Sequence, residues 1–213
     1  MKPLKTGEVL PTIFAISNGQ VNFYLVKLPN GKYIAFDAGA SEKLTLPELG
    51  KLNINPDDVT TIFFTHTDSD HVGGIGLFKN ATVYISKQEE QMIDGSTKRS
   101  VLLGYCKLSR PYETLEDGES VDIDGINVKC FVTPGHTKGS CCFIVSEKHL
   151  FSGDNFSLKN GKVKPFIAVF NMDGKEQRRS IGKIAALKGI EAVFTGHHGY
   201  TEDFIGAFAD WRV

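Results

Sequence analysis

His66-Thr67-Asp68-Ser69-Asp70-His71-Val72-Gly73-Gly74 follows directly on the apolar run Thr60-Thr61-Ile62-Phe63-Phe64-Thr65. Four side chains of ligand type stand within six residues, between a strand-like run and a glycine pair. The segment therefore reads as a strand end, a tight loop and the start of a helix. In layered α/β folds, ligands gather beyond the ends of strands, where loops expose side chains on a rigid base. Three further places repeat the pattern: Cys130 to Gly135 before His136, His149 to Gly153 before Asp154, and Val193 to Gly196 before His197. A lone His or Asp at a strand end is ordinarily a turn or cap residue. Four such ends together point to one shared site. Asp68, Asp70 and Asp154 would bring three carboxylates into one small volume, where repulsion raises at least one pKa unless cations compensate, and divalent metals are the simple compensation. His197 and His198 are consecutive; His197 is taken as the inward one because it follows Gly196 as His136 follows Gly135. His149 has no partner motif and reads as a surface residue.

Outward from these four ends, Val21 to Gly39 reads as a hairpin turning at Pro29-Asn30-Gly31. Further strands are expected over 60–65, 81–86, 119–133 (broken at Asp124-Gly125), 141–146, 149–153 and 191–196. Helices are expected over 41–49, between Lys87 and Leu108, and over 175–187. A closing amphipathic helix would place Phe204, Phe208 and Trp211 on one face, with Thr201 as its cap. Strands interleaved with helices argue for a layered α/β domain.

The 213 residues carry 24 basic and 25 acidic side chains, a net charge of −1, so no bulk attraction to nucleic acid or anionic membrane is expected. Hydrophobic residues make up 41%, enough for a real core and against disorder. No composition shift divides residues 1–213, which are read as one domain. The absence of a signal-like or membrane-spanning apolar run leads to the expectation of a cytosolic protein. Cys106, Cys130, Cys141 and Cys142 lack Cys-x-x-Cys spacing and are read as buried thiols.

The order of Asp37-Ala38-Gly39, the 66–74 loop, Thr133-Pro134-Gly135-His136, Ser152-Gly153-Asp154-Asn155 and Thr195-Gly196-His197-His198-Gly199 resembles the metallo-β-lactamase superfamily. The resemblance covers essentially the whole chain and implies a four-layer αββα sandwich. It also implies two metal ions, one held by His66 and His136 and the other by Asp70, His71 and His197, with Asp154 bridging. The family pattern H-x-H-x-D-H has a second His where this chain has Asp68. A hard carboxylate there shifts the first site from zinc toward iron or manganese, or weakens it.

The activity so implied is hydrolysis by a bridging hydroxide of an ester, lactone, thioester, amide or phosphoester in a small molecule, with Asp70 orienting the hydroxide or moving its proton. Two other readings stand beside it: a non-haem iron or di-iron redox enzyme related to the flavodiiron branch, suggested by Asp68, and a degenerate metal- or ligand-binding module. Lys98, Arg99, Arg110, Lys162 and Lys164 read as solvated basic residues.

Overall fold

Gly31 adopts φ 85° and donates its N–H to the Leu28 carbonyl at 2.9 Å, so the chain reverses where Pro29-Asn30-Gly31 predicts. The computed structural model describes residues 3–99, 108 and 110–212. Its first sheet runs in chain order through β1 (Gly7–Leu10), β2 (Ile13–Asn18), β3 (Val21–Lys27), β4 (Tyr33–Phe36), β5 (Val59–Phe63), β6 (Thr82–Ser86) and β7 (Glu113–Leu115). Pairing is antiparallel as far as β4 and parallel from β4 to β7. Parallel pairing carries β4 and β5 to the same edge, where Asp37 and His66 follow them.

The second sheet holds β8 (Ser120–Ile123), β9 (Ile126–Val132), β10 (Cys141–Val145) and β11 (His149–Phe151), joined by β14 and β15 below. A separate hairpin pairs β12 (Phe156–Lys159) with β13 (Lys162–Pro165). Then come β14 (Ala192–Phe194), parallel to β11, and β15 (Tyr200–Thr201). Since β10 is antiparallel to both β9 and β11, the strands β9, β11 and β14 all run the same way. Their ends deliver His136, Asp154 and His197 to one edge. Sheet direction is thus the reason that residues far apart in the chain meet.

The inner faces of the two sheets share an aromatic core: Phe36 stacks on Phe151 with centroids 4.0 Å apart, and Phe151 on Phe194 at 4.7 Å. Aromatic pairs of this kind contribute roughly 1 kcal/mol each beyond their buried area. At the functional edge the sheets are also hydrogen-bonded, Asn22 N to Gly196 O at 2.6 Å and Cys141 N to Thr65 O at 2.9 Å. Helix α1 (Glu42–Lys51), N-capped by the Ser41 side chain, sets Leu49 against the outer face of the first sheet. Two single-turn helices follow, α2 (Ser69–Val72) and α3 (Glu90–Ile93). Helix α4 (Gly174–Ala185) covers the second sheet with Ile181, Ile184 and Ala185. The layers are helix, sheet, sheet, helix, the αββα order expected.

Departures from the sequence reading have local causes. The apolar period of 175–187 is thin because Gln177 and Ser180 also face inward, where Gln177 bonds Asn171 and Ser180 Oγ donates to Pro134 O at 2.7 Å. The closing helix shrinks to α5 (Phe204–Ala207) followed by a short 3-10 turn; its cap is Asp203, not Thr201, which pairs in β15. Phe204 and Phe208 are buried as expected, and Trp211 packs beside them. Strands β1, β2, β7, β12, β13 and β15 lie outside the expected set, although Asn160-Gly161, at φ 52° and 72°, is the turn pair that a tight hairpin favours. His149 is half-buried, edge-on to Phe194, rather than on the surface.

Cys130, Cys141 and Cys142 are free and buried, with Cys141 and Cys142 on opposite faces of the sheet; Cys106 and most of the 100–109 stretch lie outside the described residues. Among the described residues no helix is long and apolar enough to cross a membrane.

Candidate metal centre

Two groups of ligand atoms converge at the shared edge, each with its atoms within 4.8 Å of one another: His66, His136 and Asp154, and Asp70, His71 and His197. Asp154 lies between them. Its Oδ2 is 3.1 Å from His197 Nε2, 3.5 Å from His71 Nε2 and 3.6 Å from His136 Nε2. Asp70 Oδ2 is 3.4 Å from His197 Nε2 and 3.9 Å from His71 Nε2. The backbone closes tightly around this cluster: a Cβ on Gly196 would stand 2.6 Å from Asp154 Oδ1 and 2.9 Å from His71 Cε1. Only a glycine fits there.

Each imidazole is held through Nδ1, which leaves Nε2 to face the cluster. His71 Nδ1 donates to Asp37 Oδ2 at 2.7 Å and His197 Nδ1 to Gln20 O at 2.6 Å. The Thr65 hydroxyl donates to Asp37 and so accepts from His66 Nδ1 at 3.1 Å. His136 Nδ1 donates to Asn171 Oδ1 at 3.2 Å. Outer partners of this sort fix the tautomer and ring orientation of metal-binding histidines.

His66 Nε2, His71 Nε2 and Asp154 Oδ1 are buried with no hydrogen-bond partner among the described residues. Buried polar atoms are normally satisfied; His71 Nε2 and Asp154 Oδ1, which adjoin Asp70 and His197, fit a cation that they would coordinate, while His66 Nε2 faces the other group. The donor set of imidazole nitrogens and carboxylate oxygens suits a divalent transition metal.

The electrostatics agree. Burial opposes a charged His71, but the charges of Asp154, Asp37 and Asp70 overcome it and raise its pKa well above the usual value. Burial likewise opposes charge on His197, yet bonds to Asp154 and Asp70 raise it to about 9. Burial would raise Asp70, while the neighbouring His71 charge and the bond to His197 lower it to about 2. His66, furthest from that pull, is lowered by burial and by the charges of His71 and His136. The carboxylates thus draw positive charge into the cluster.

Asp68 belongs to neither group. It stands 3.2 Å from His136 Nε2 and 3.7 Å from His66 Nε2, but both its oxygens are engaged by Arg99: Nε to Oδ1 at 2.9 Å, and Nη2 to Oδ2 at 3.0 Å. Arg99 is therefore no solvated basic residue, since only 6% of its side chain is exposed. Arg110 too is occupied, binding the carbonyls of Phe78, Lys79 and Ala81, and Lys164 pairs with Asp210. His198 belongs to neither group; its Nδ1 is buried with no hydrogen-bond partner among the described residues, and it walls an open groove of about 720 Å³ with Leu158, Lys159, Pro165 and Ile167.

Two supporting residues escape a reading of the sequence. Asp37 follows the apolar β4 with no small residue between, and Asp37-Ala38-Gly39 receives no role of its own from the sequence. Glu89 gives no signal, because its partners lie far away in sequence. It accepts from Thr67 N at 2.8 Å, Thr67 Oγ1 at 2.9 Å, Thr137 Oγ1 at 2.6 Å and Gly139 N at 3.1 Å, joining the loops that carry His66 and His136. Burial pushes its carboxyl up to about 7 despite those four donors.

Residues 16–197 match the model of the metallo-β-lactamase superfamily. A probable metallo-hydrolase of Methanocaldococcus jannaschii is 30% identical over 158 residues, 74% of this chain and 66% of that protein, a little under two thirds of the relative's length. A metallo-β-lactamase family protein of Thermus thermophilus superposes with TM-score 0.72 at 21% identity, covering 95% of this chain and 79% of its own. A Cronobacter sakazakii metallo-β-lactamase with a HARLDQ motif superposes with TM-score 0.70 at 22% identity, covering 92% and 79%.

Proposed function

Since the chain belongs to the metallo-β-lactamase superfamily, we propose that it is a metal-dependent hydrolase of a small-molecule ester, lactone, thioester, amide or phosphoester. The observation that carries this reading is the convergence of unpartnered His71 Nε2 and Asp154 Oδ1 with Asp70 and His197. Zinc, iron or manganese would be held by Asp70, His71, His197 and Asp154, and the ion supplies Lewis acidity and makes a coordinated water acidic near neutral pH.

The protein's own groups set the geometry. Asp37 and the Gln20 carbonyl aim the His71 and His197 rings, so their lone pairs need no reorganisation when an ion enters. Asp70 is the open member of the cluster, with 42% of its side chain exposed while Asp154 is buried. It is therefore placed to take a proton from water and pass it to solvent or to a leaving group. The groove walled by His198 offers apolar Leu158, Pro165 and Ile167 together with Lys159, a lining that suits an apolar substrate with an anionic group.

The redox alternative draws on a hard oxygen ligand at Asp68. Both Asp68 oxygens are engaged by Arg99, which removes that support. The test is a panel of the five substrate classes run on Zn-, Mn- and Fe-loaded protein. Cleavage of at least one class, lost on chelation and restored by metal, is expected. No cleavage under any loading overturns the proposal and favours a binding module.

A further inference from the structure

Arg99 places its donors with unusual completeness. Besides the paired bonds to Asp68, Nη1 donates to the His136 carbonyl at 2.6 Å, Nη2 reaches the Phe170 carbonyl, and Nη2 lies 3.1 Å from His136 Nε2. That last contact matters most. Of the four cluster imidazoles, His66 and His71 keep a free Nε2 and His197 turns its own toward Asp154 and Asp70, whereas the inward nitrogen of His136 meets a guanidinium. A guanidinium does not lose its proton in a protein, so it leaves the pair as a permanent positive charge. Anchorage by two backbone carbonyls from different loops keeps the planar fork in place.

Resting on the metal-dependent reading above, we propose that Arg99 and Asp68 fill the half of the centre bounded by His66 and His136, and that this chain holds a single divalent ion at Asp70, His71, His197 and Asp154. The guanidinium takes the place of a second cation. Charge supports this arrangement: the carboxylates of Asp68, Asp70 and Asp154 are neutralised by one dication and one guanidinium. A second dication between His66 and His136 would stand directly against the fixed charge of Arg99, whose Nη2 is 3.1 Å from His136 Nε2. Asp68 is then a partner for Arg99 rather than a ligand, which explains why a carboxylate is tolerated where the family has a histidine. Because the ion lies to one side, the His136 side of the cleft offers a guanidinium edge, suited to an anionic or developing negative oxygen of the substrate.

Equilibrium dialysis of the full chain against Zn²⁺, followed by elemental analysis, tests the stoichiometry without any need for turnover. The native chain is expected to retain one equivalent and the double variant Asp68→His, Arg99→Ala two. Two equivalents in the native chain, or one in the double variant, overturn the proposal while leaving metal-dependent hydrolysis intact. No retained metal overturns both. Should the double variant fail to fold, electron paramagnetic resonance of the Mn²⁺-loaded native chain decides alone: an isolated six-line Mn²⁺ signal is expected, and the spectrum of an exchange-coupled Mn²⁺ pair refutes it.

Discussion

The two halves of the centre grow from the same loop and differ in what stands behind them. On one side His71 leans on Asp37 and His197 on the Gln20 carbonyl, and both direct Nε2 inward toward carboxylates. On the other, His136 and Asp68 turn to Arg99. The first half is organised to receive a cation, and the second already contains one. The difference teaches that a ligand cluster is not defined by its residue types alone. One carboxylate in place of an imidazole admits an arginine from a distant segment, and a buried arginine rearranges the local charge balance.

Removing the element common to both halves has the largest expected effect. Asp154→Ala deletes the oxygen that faces the Nε2 atoms of His71, His136 and His197 together, and metal affinity should fall by more than about 100-fold, beyond the range seen for outer partners, with turnover lost. Circular dichroism should remain that of the native fold. Retained metal or activity would remove Asp154 from the role given to it.

Asp37→Asn sharpens the contrast, since it touches His71 and not Arg99. A drop of roughly 10- to 100-fold in metal affinity is expected, with the Arg99 half undisturbed. Calorimetric titration with Zn²⁺ measures it, and an unchanged affinity would mean that His71 orients itself unaided.

The last contrast concerns stability rather than metal affinity, in the clamp between the loops. The Glu89 carboxyl is pushed up to about 7 in the fold, above its ordinary value of 4.5. A raised folded pKa gives a stability contribution that is complete below the unfolded value and lost as pH rises through 7. Relative to Glu89→Gln, the native chain should therefore lose about 3 kcal/mol between pH 4.5 and pH 8, at roughly 1.4 kcal/mol for each pH unit separating the unfolded and folded pKa. Urea unfolding of both proteins across that window checks the slope; parallel curves would show that Glu89 stays ionised throughout.

Much of this is legible in the chain. The strand ends before His66, His136, Asp154 and His197 are visible because an apolar run followed by a small residue and a ligand type is a local pattern. The turns at Gly31 and at Asp124-Gly125 are legible because positive φ is a property of single residues. Where the reading fails, the cause is not local. Gln177 faces inward because Asn171 pairs with it and Ser180 because the His136 loop offers the Pro134 carbonyl, and Glu89 is buried because two loops surround it with donors. Arg99 lies 31 residues from Asp68 and 37 from His136, with no periodicity to relate them.

Sequence alone determined the layered class and the residue types that gather at one edge, because hydrophobic alternation and turn chemistry act over a few residues at a time. Tertiary structure alone decided which of those side chains face each other. Strand direction brings β4, β5, β9, β11 and β14 to a common edge, and burial then sets which charges must be paired. The partner of Asp68 is the clearest instance: a half-buried carboxylate takes the buried cation that the fold delivers to it, and here that cation is Arg99.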